Sequence, residues 1–325
     1  MGIDRPDDAD EPPDKHSDRP SGRAPAETRY RQEYDADLRA AALQERTESA
    51  GRSEPGARSK PPGEQTENDQ QPPPGTSWEE TAELSRWMWT EYKRRWPPEE
   101  RPPVDRSKDA PGSWHGDSGQ VLEPADNARI EAACDRIADR EEKMISPALR
   151  AIESQDPHRH LVGFEKCLKG RDRIKEKVCG TINDYRRSPE QAVSLVPDAI
   201  RYTFQYEEAR YTQGVRADIA RLQDRGFRLN TLKNYWSDDQ YKGINSQWIE
   251  PVSGQRFEVQ FHTRISFEAK EITHGAYERL RSGQKPDEFE QMVLEAFQKK
   301  VTAEVPVPSR AADIPDYPKR ESDAR

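Results

Sequence analysis

Apolar sequence is scarce in this chain. Of 325 residues, 32% are hydrophobic and 8% aromatic, while 35% are charged and 27 are proline. No apolar run approaches the roughly 18 to 20 residues that cross a bilayer, which excludes a helical membrane protein. The opening stretch, "MGIDRPDDADEPPDK", lacks the apolar centre a signal peptide uses. Pro6 stands where N-myristoylation wants Ser or Thr. Cysteine is equally thin. Cys134, Cys167 and Cys179 are an odd number without metal-ligand spacing, so neither a disulfide framework nor a zinc site is expected. Reduced thiols and a cytoplasmic location are the simplest expectation, and export by a leaderless route fits the same facts. A surplus of positive charge is missing too. The net charge of −9 argues against a protein that coats nucleic acid.

The polarity is spread unevenly, and that pattern divides the chain. Residues 1–76 are rich in Asp, Glu, Arg, Pro, Gly and Ser and end in "QQPPPG", so they are expected to be disordered. A transient helix around Leu38, Ala42 and Leu43 is a local exception. Residues 77–125 combine a Trp-rich amphipathic helix with a Pro-rich linker. Ser77 and Glu80 form a capping-box pattern, and the prolines at 97 and 98 stop the helix. Trp78, Leu84, Trp87, Met88 and Tyr92 fit one side of helix 77–96. That side either packs on the main domain or docks a protein partner, because Trp is enriched at binding hot spots. The folded domain is expected over 126–304, with a disordered tail over 305–325. Between Asp156 and Lys285 there are about 23 basic and about 18 acidic residues. The folded part is therefore mildly basic and suits phosphate-bearing ligands.

Within that domain, Ile130, Ala133, Ile137, Met144, Leu149 and Ile152 make a helical stripe interrupted at Pro147. "HLVGFEKCLKG" reads as a short strand, and Asp172 as the cap of a basic helix. "AIRYTFQY" is a strand, "YTQGVRADIARLQDRG" a helix ending at Gly226, and "FRLNTLKNYW" and "INSQWIEP" are strands. "PVSG" turns into the strand "QRFEVQFHT", and helices over about 266–281 and 287–301 follow. This order predicts an α/β (α+β) domain with a mixed sheet of about five strands flanked by helices.

The last strand alternates. Phe257, Val259 and Phe261 point one way; Glu258, Gln260 and His262 point the other. Burial accounts for the apolar row alone. The blocks around it, in order, are "KGRDRIKEK", "DAIRYT", "YKGIN", "FEVQFHT" and "HGAY". Together, over about Asn127 to Arg281, they resemble the RelA/SpoT-like alarmone synthetases, whose fold is nucleotidyltransferase-like. The likeness leans toward the small toxin-type members, because several positions depart from the long synthetases. Cys167 stands for an Arg, Gly170 and Arg173 for helix-start Ser positions, Asn245 for a His and His262 for an Arg. The acid lies three places before Arg201 rather than five. No adjacent His-Asp pair occurs, so the hydrolase domain of the bifunctional enzymes is not expected.

The resemblance implies transfer of pyrophosphate from ATP to the 3′-hydroxyl of GDP, GTP or another nucleotide, or of tRNA, with Mg2+. Such chemistry asks for carboxylates on a metal, cations on the triphosphate and an aligned hydroxyl. Asp198 and Glu258 are then the catalytic and metal-holding acids. Lys169, Arg171, Arg173, Lys175 and Lys177 are the candidates for the ATP phosphates, helped by backbone donors at a helix start near Asp172. Tyr241, Asn245, Gln260, His262, Lys270 and His274 are the candidates for the acceptor, with Tyr241 stacking on its base. Lys270, His274, Tyr277 and Arg281 recur at helical spacing. A different reading of the same residues is a catalytically silent nucleotide- or RNA-binding interaction module.

Overall fold

The computed structural model describes residues 77–97, 110–116, 119–185, 187–282 and 285–317. The expected disorder of residues 1–76, with its transient helix, and residues 98–109 of the expected linker lie outside these residues.

Among the described residues, three helices and a hairpin precede the main sheet. Helix α1 (Trp78–Arg95) starts at the capping box, with Ser77 and Glu80 bonding reciprocally. Its inward residues are Trp78, Thr81, Ala82 and Ser85, followed by the partly buried Trp89 and Tyr92, whereas Leu84 and Trp87 are exposed. The expected stripe followed the largest side chains; the observed one follows 3.6-residue spacing from Trp78. A short antiparallel hairpin, β1 (Trp114–His115) with β2 (Val121–Leu122), sits where linker was expected. Helix α2 (Pro124–Arg140) continues through a π-turn, Glu141–Ile145, into α3 (Ser146–Glu153). The predicted break at Pro147 is absorbed by that wider turn and does not stop the helix, since a π-turn re-routes the backbone bonds around it. In the turn, buried Glu141 accepts from Tyr202 Oη at 2.6 Å and Cys167 Sγ at 3.3 Å.

The sheet has five strands in the order β3-β4-β7-β6-β5, mixed as the sequence predicts. They are β3 (Arg159–Val162), β4 (Arg201–Tyr206), β5 (Arg228–Asn234), β6 (Ile244–Ile249) and β7 (Arg256–Thr263). Only β4 and β7 run parallel; the remaining pairs are antiparallel. Helices α4 (Arg171–Tyr185) and α5 (Pro189–Ser194) lie between β3 and β4, and α6 (Tyr211–Asp224) between β4 and β5. Helices α7 (Arg264–Leu280) and α8 (Glu288–Ala303) follow β7.

The register sorts the two sheet faces. Tyr202, Phe204 and Tyr206 of β4 and Phe257, Val259 and Phe261 of β7 form the apolar face, all buried. Helix α6 packs there; Tyr206 donates to Asp218 at 2.8 Å, and Tyr211 donates to the Phe261 carbonyl at 2.9 Å. Arg159 of β3, with a fully buried side chain, pairs with the same Asp218. The opposite face carries Arg201, Thr203 and Gln205 of β4, Glu258, Gln260 and His262 of β7, and Asn245 and Gln247 of β6.

The expected tail needs correction up to Tyr317. Val305, Ala311, Ile314 and Tyr317 are buried, and Tyr317 exchanges backbone hydrogen bonds with Leu232 on the outer strand β5. Asn234 Nδ2 donates to the carbonyls of Ala311 and Ile314 at 2.9 and 2.7 Å. The segment covers a sheet edge that would otherwise present open backbone groups. Residues 318–325 lie outside the described residues. Among the described residues, no helix is long and apolar enough to cross a membrane.

Candidate active site

Asp198 lies in the 3-10 turn Pro197–Ala199 that leads into β4, just short of the strand it was expected to begin. The chain segment before α4 pairs with this turn. Lys169 N donates to the Ala199 carbonyl at 2.9 Å, and Arg201 N donates to the Cys167 carbonyl at 2.8 Å. This pairing sets Lys169 against Asp198, with Nζ 3.1 Å from Oδ2. Lys177, two turns into α4, donates to both carboxylate oxygens at 2.8 and 2.6 Å. Burial works against the Asp198 charge, but Lys177 and then Lys169 outweigh it, and its pKa falls below the ordinary aspartate value.

The remaining predicted cations divide by helix face. Arg171 pairs with Glu131 and Asp135 of α2 at 2.6 and 2.5 Å. Lys175 is buried against Glu131, with its ammonium 5.8 Å from the Trp114 ring centre. Arg173 is exposed and pairs with Glu176 at 3.1 Å. Arg171 and Lys175 therefore stitch α4 to α2 and do not face Asp198. The Asp172 cap also differs: α4 begins at Arg171, and the Asp172 carboxylate accepts from Trp114 Nε1 at 2.8 Å.

Glu258 is the one residue of β7 that keeps partial solvent access. It is flanked in register by Arg201 on β4 and Gln247 on β6, and Gln260 Nε2 donates to its Oε1 at 2.6 Å. Burial raises its pKa above the ordinary glutamate value; the Asp198 charge adds to the rise, while Arg201, Gln260 and Lys270 oppose it. The two acids thus sense each other across the β4–β7 junction. Lys270 on α7, with its side chain 11% exposed, lies near Glu258 and Arg201, and its partial burial, reinforced by Arg201, lowers its pKa. Its Nζ is 3.2 Å from Glu271 Oε1. Arg201 was missed by the sequence reading, although its alternation with Tyr202 on β4 places it on the polar face.

Behind Glu258 lies a neutral network. His262 is fully buried, and burial followed by the Lys270 charge drives its pKa well below the ordinary histidine value. Its Nδ1 is 2.9 Å from Ser266 Oγ and its Nε2 2.9 Å from Tyr241 Oη. Tyr241 in turn donates to Asn245 Oδ1 at 2.8 Å. With that proton committed, the neutral ring donates from Nε2 and accepts at Nδ1 from Ser266. Ser266 belongs to the capping box with Thr263 that starts α7. Gly243, at φ 145°, passes so close that a Cβ there would lie 2.6 Å from His262 Cε1. The Tyr241 ring sits edge-on to Tyr235 and His262, at 5.3 and 5.5 Å between centroids. His274 and Tyr277 lie further along α7 and are exposed; His274 is 3.8 Å from Glu278, and Arg281 donates to the Tyr277 hydroxyl at 2.9 Å.

The structure thus brings together Asp198, Lys169, Lys177, Glu258, Gln260, Arg201 and Lys270, backed by Tyr241, Asn245 and His262. Among the described residues, no group of three or more His, Cys, Asp or Glu side chains could hold a metal. No family model matches the chain, and no curated protein matches it. It is similar to several solved structures. One is smu.1046c from Streptococcus mutans UA159, at 17% identity and TM-score 0.37, covering 51% of this chain and 86% of that one. A second is the small alarmone synthetase 1 from Bacillus subtilis, at 15% identity and TM-score 0.35, covering 54% and 90%. A third is a GTP pyrophosphokinase family protein from Streptococcus pneumoniae, at 17% identity and TM-score 0.36, covering 56% and 90%.

Proposed function

We propose that this chain transfers a pyrophosphoryl group from ATP to a hydroxyl of a nucleotide, or of tRNA. The reading is carried by one observation: Lys169 and Lys177 converge on Asp198, two residues before Ile200, whose carbonyl accepts from Glu258 N at 2.9 Å on the adjoining strand. Lys169, Lys177 and Arg201 around Asp198 and Glu258 leave a local excess of positive charge, which suits the donor polyphosphate, while Lys270 stands with the acceptor candidates. In the reaction, Glu258 takes the proton of the acceptor hydroxyl as its oxygen bonds to the β-phosphorus. The bond from that phosphorus to the α-phosphate oxygen breaks, and AMP leaves. A raised carboxyl pKa brings such a base nearer to neutral pH. The lysines exchange Asp198 for phosphate oxygens and stabilise charge on the transferring group.

Asp198 and Glu258 also fit magnesium, which takes one or two carboxylates and completes its shell with phosphate oxygens and water. When bound, that ion would neutralise polyphosphate charge. His262 is enclosed, so its part is to orient Tyr241 beside the acceptor and not to touch it.

The test is incubation of the purified chain with ATP labelled at the β-phosphate, Mg2+, and GDP, GTP or tRNA in turn. Label is expected to move to an acceptor, and Glu258→Gln to abolish the transfer. Equal labelling by the variant removes Glu258 from the chemistry. Tight binding of a non-hydrolysable ATP analogue without any transfer leaves the silent binding module in its place.

A further inference from the structure

Helix α1 lies before the expected catalytic domain, yet it is built against one element of the site. Its inward face packs on α7 and α8 at three levels. At the first, Trp78 Nε1 donates to Glu268 Oε2 at 2.8 Å, Arg86 pairs with the same carboxylate, and Arg264 reaches Glu79 at 3.2 Å. At the second, the Trp89 indole lies on Gly275, where a Cβ would come within 2.3 Å of its Cζ2. Trp89 also stacks on Tyr92 and Phe297, at 4.7 and 5.8 Å between centroids. At the third, Tyr92 donates to Glu290 of α8 at 2.6 Å, and Arg279 of α7 grips that carboxylate at 2.7 and 2.8 Å.

The α7 residues used here, Glu268, Gly275 and Arg279, recur at helical spacing along one side. Ser266 and Lys270, which serve the site, lie about half a turn away on the opposite side. Helix α7 is therefore clamped between α1 behind and the polar sheet face in front. A glycine in mid-helix costs stability relative to alanine, and at Gly275 the indole of α1 is what requires it. Shifting α7 would move Ser266 off His262 and Lys270 away from Glu258 together.

We propose that α1 is a positioning strap: its seating on α7 sets the placement of Lys270 and of the Ser266–His262–Tyr241 network, and so the rate of the transfer step. The donor-phosphate lysines stand on α4 and the segment before it, outside the reach of this clamp. Seating of α1 should therefore govern turnover and leave the affinity for ATP alone. The activity part rests on the proposed transfer reaction; the placement part does not.

The experiment uses the full chain with Gly275→Ala, Trp89→Ala, both together, and the milder Tyr92→Phe. Two measurements are made, amide hydrogen exchange across residues 266–277 and labelled transfer with its kcat and KM for ATP. Gly275→Ala improves the intrinsic helicity of α7 but drives a methyl into the indole. Exchange in α7 is expected to quicken about tenfold, and kcat to fall about tenfold to a hundredfold at unchanged KM. In the Trp89→Ala background the same methyl is expected to be harmless or protective, and Tyr92→Phe to shift both readouts the same way by less. Unchanged α7 exchange in Gly275→Ala, or the same cost of that methyl with and without the indole, overturns the strap. A parallel loss in ATP affinity does so as well. If the unaltered chain transfers no label, the transfer reading falls, and the exchange arm still judges the strap.

Discussion

Lys175 and Lys177 stand two residues apart on one basic helix, and the geometry predicts opposite consequences for their removal. Lys177→Met takes away a cation that donates to both oxygens of Asp198. Lys177 is about half exposed, and Asp198 keeps Lys169 at 3.1 Å. After discounting for solvent screening, the loss in stability is about 1 kcal/mol or less. That corresponds to a melting-temperature drop of about 2–4 °C at most for a domain of this size. The effect on transfer is expected to be far larger. Deleting one group that stabilises transition-state charge typically costs about a hundredfold to a thousandfold in kcat, or ~2.7–4 kcal/mol. Lys175→Met is the mirror case. Its side chain is 6% exposed and its partner Glu131 belongs to α2. Losing a charge-assisted bond there costs about 1.5–3 kcal/mol, a fall of roughly 3–12 °C. Transfer by the folded variant is expected to stay within about threefold. Thermal melts and labelled transfer on the two variants side by side check the pair. Loss of transfer in Lys175→Met matching that in Lys177→Met, or full transfer in Lys177→Met, refutes the division of α4 into a stitching face and a site face.

Four further outcomes rest on the same geometry. Because burial raises the Glu258 pKa, the folded state holds that proton more tightly, so this group's contribution to stability is present at acid pH and lost as pH rises through its folded value. Glu258→Gln should therefore melt at or above the unaltered chain at neutral pH, with the gap closing on acidification. The acidic limb of kcat/KM should lie above the ordinary glutamate value, and Lys270→Met, which removes a cation that lowers this pKa, should push it to higher pH. Gly243→Ala forces a Cβ to 2.6 Å from His262 at a φ that side chains avoid; a loss of about 1–3 kcal/mol by denaturant unfolding is expected. On the apolar face, Asp218→Asn leaves the buried Arg159 only Asp156, 3.3 Å away, as countercharge and should cost about 1.5–3 kcal/mol by the same measurement.

What the sequence made legible was whatever repeats with a fixed period. Alternation along β7 placed Glu258, Gln260 and His262 on one face, and they are there. The five-stranded mixed sheet followed from the order of apolar runs and turns. Periodicity could not rank the cations of α4. Ile174 and Val178 turn toward the core; Arg171 and Lys175 flank that stripe on one side, Arg173 and Lys177 on the other. Either flank is plausible until Glu131 on α2 claims one and Asp198 the other, and both partners are long-range contacts. The same limit hid the 305–317 segment. Its apolar residues Val305, Ala311, Ile314 and Tyr317 are too irregularly spaced to form a stripe, because the segment holds only the 3-10 turn Ala311–Asp313 and is fixed by long-range bonds to Leu232 and Asn234 of β5. It also hid the meaning of Gly275 inside "HGAY". Taken locally, that glycine weakens a helix; only the indole of Trp89, 186 residues earlier in the chain, gives it a purpose. A local conflict of this kind, tolerated where two distant elements meet against the site, is the signature that positions were set for placement of α7 at the expense of its own stability.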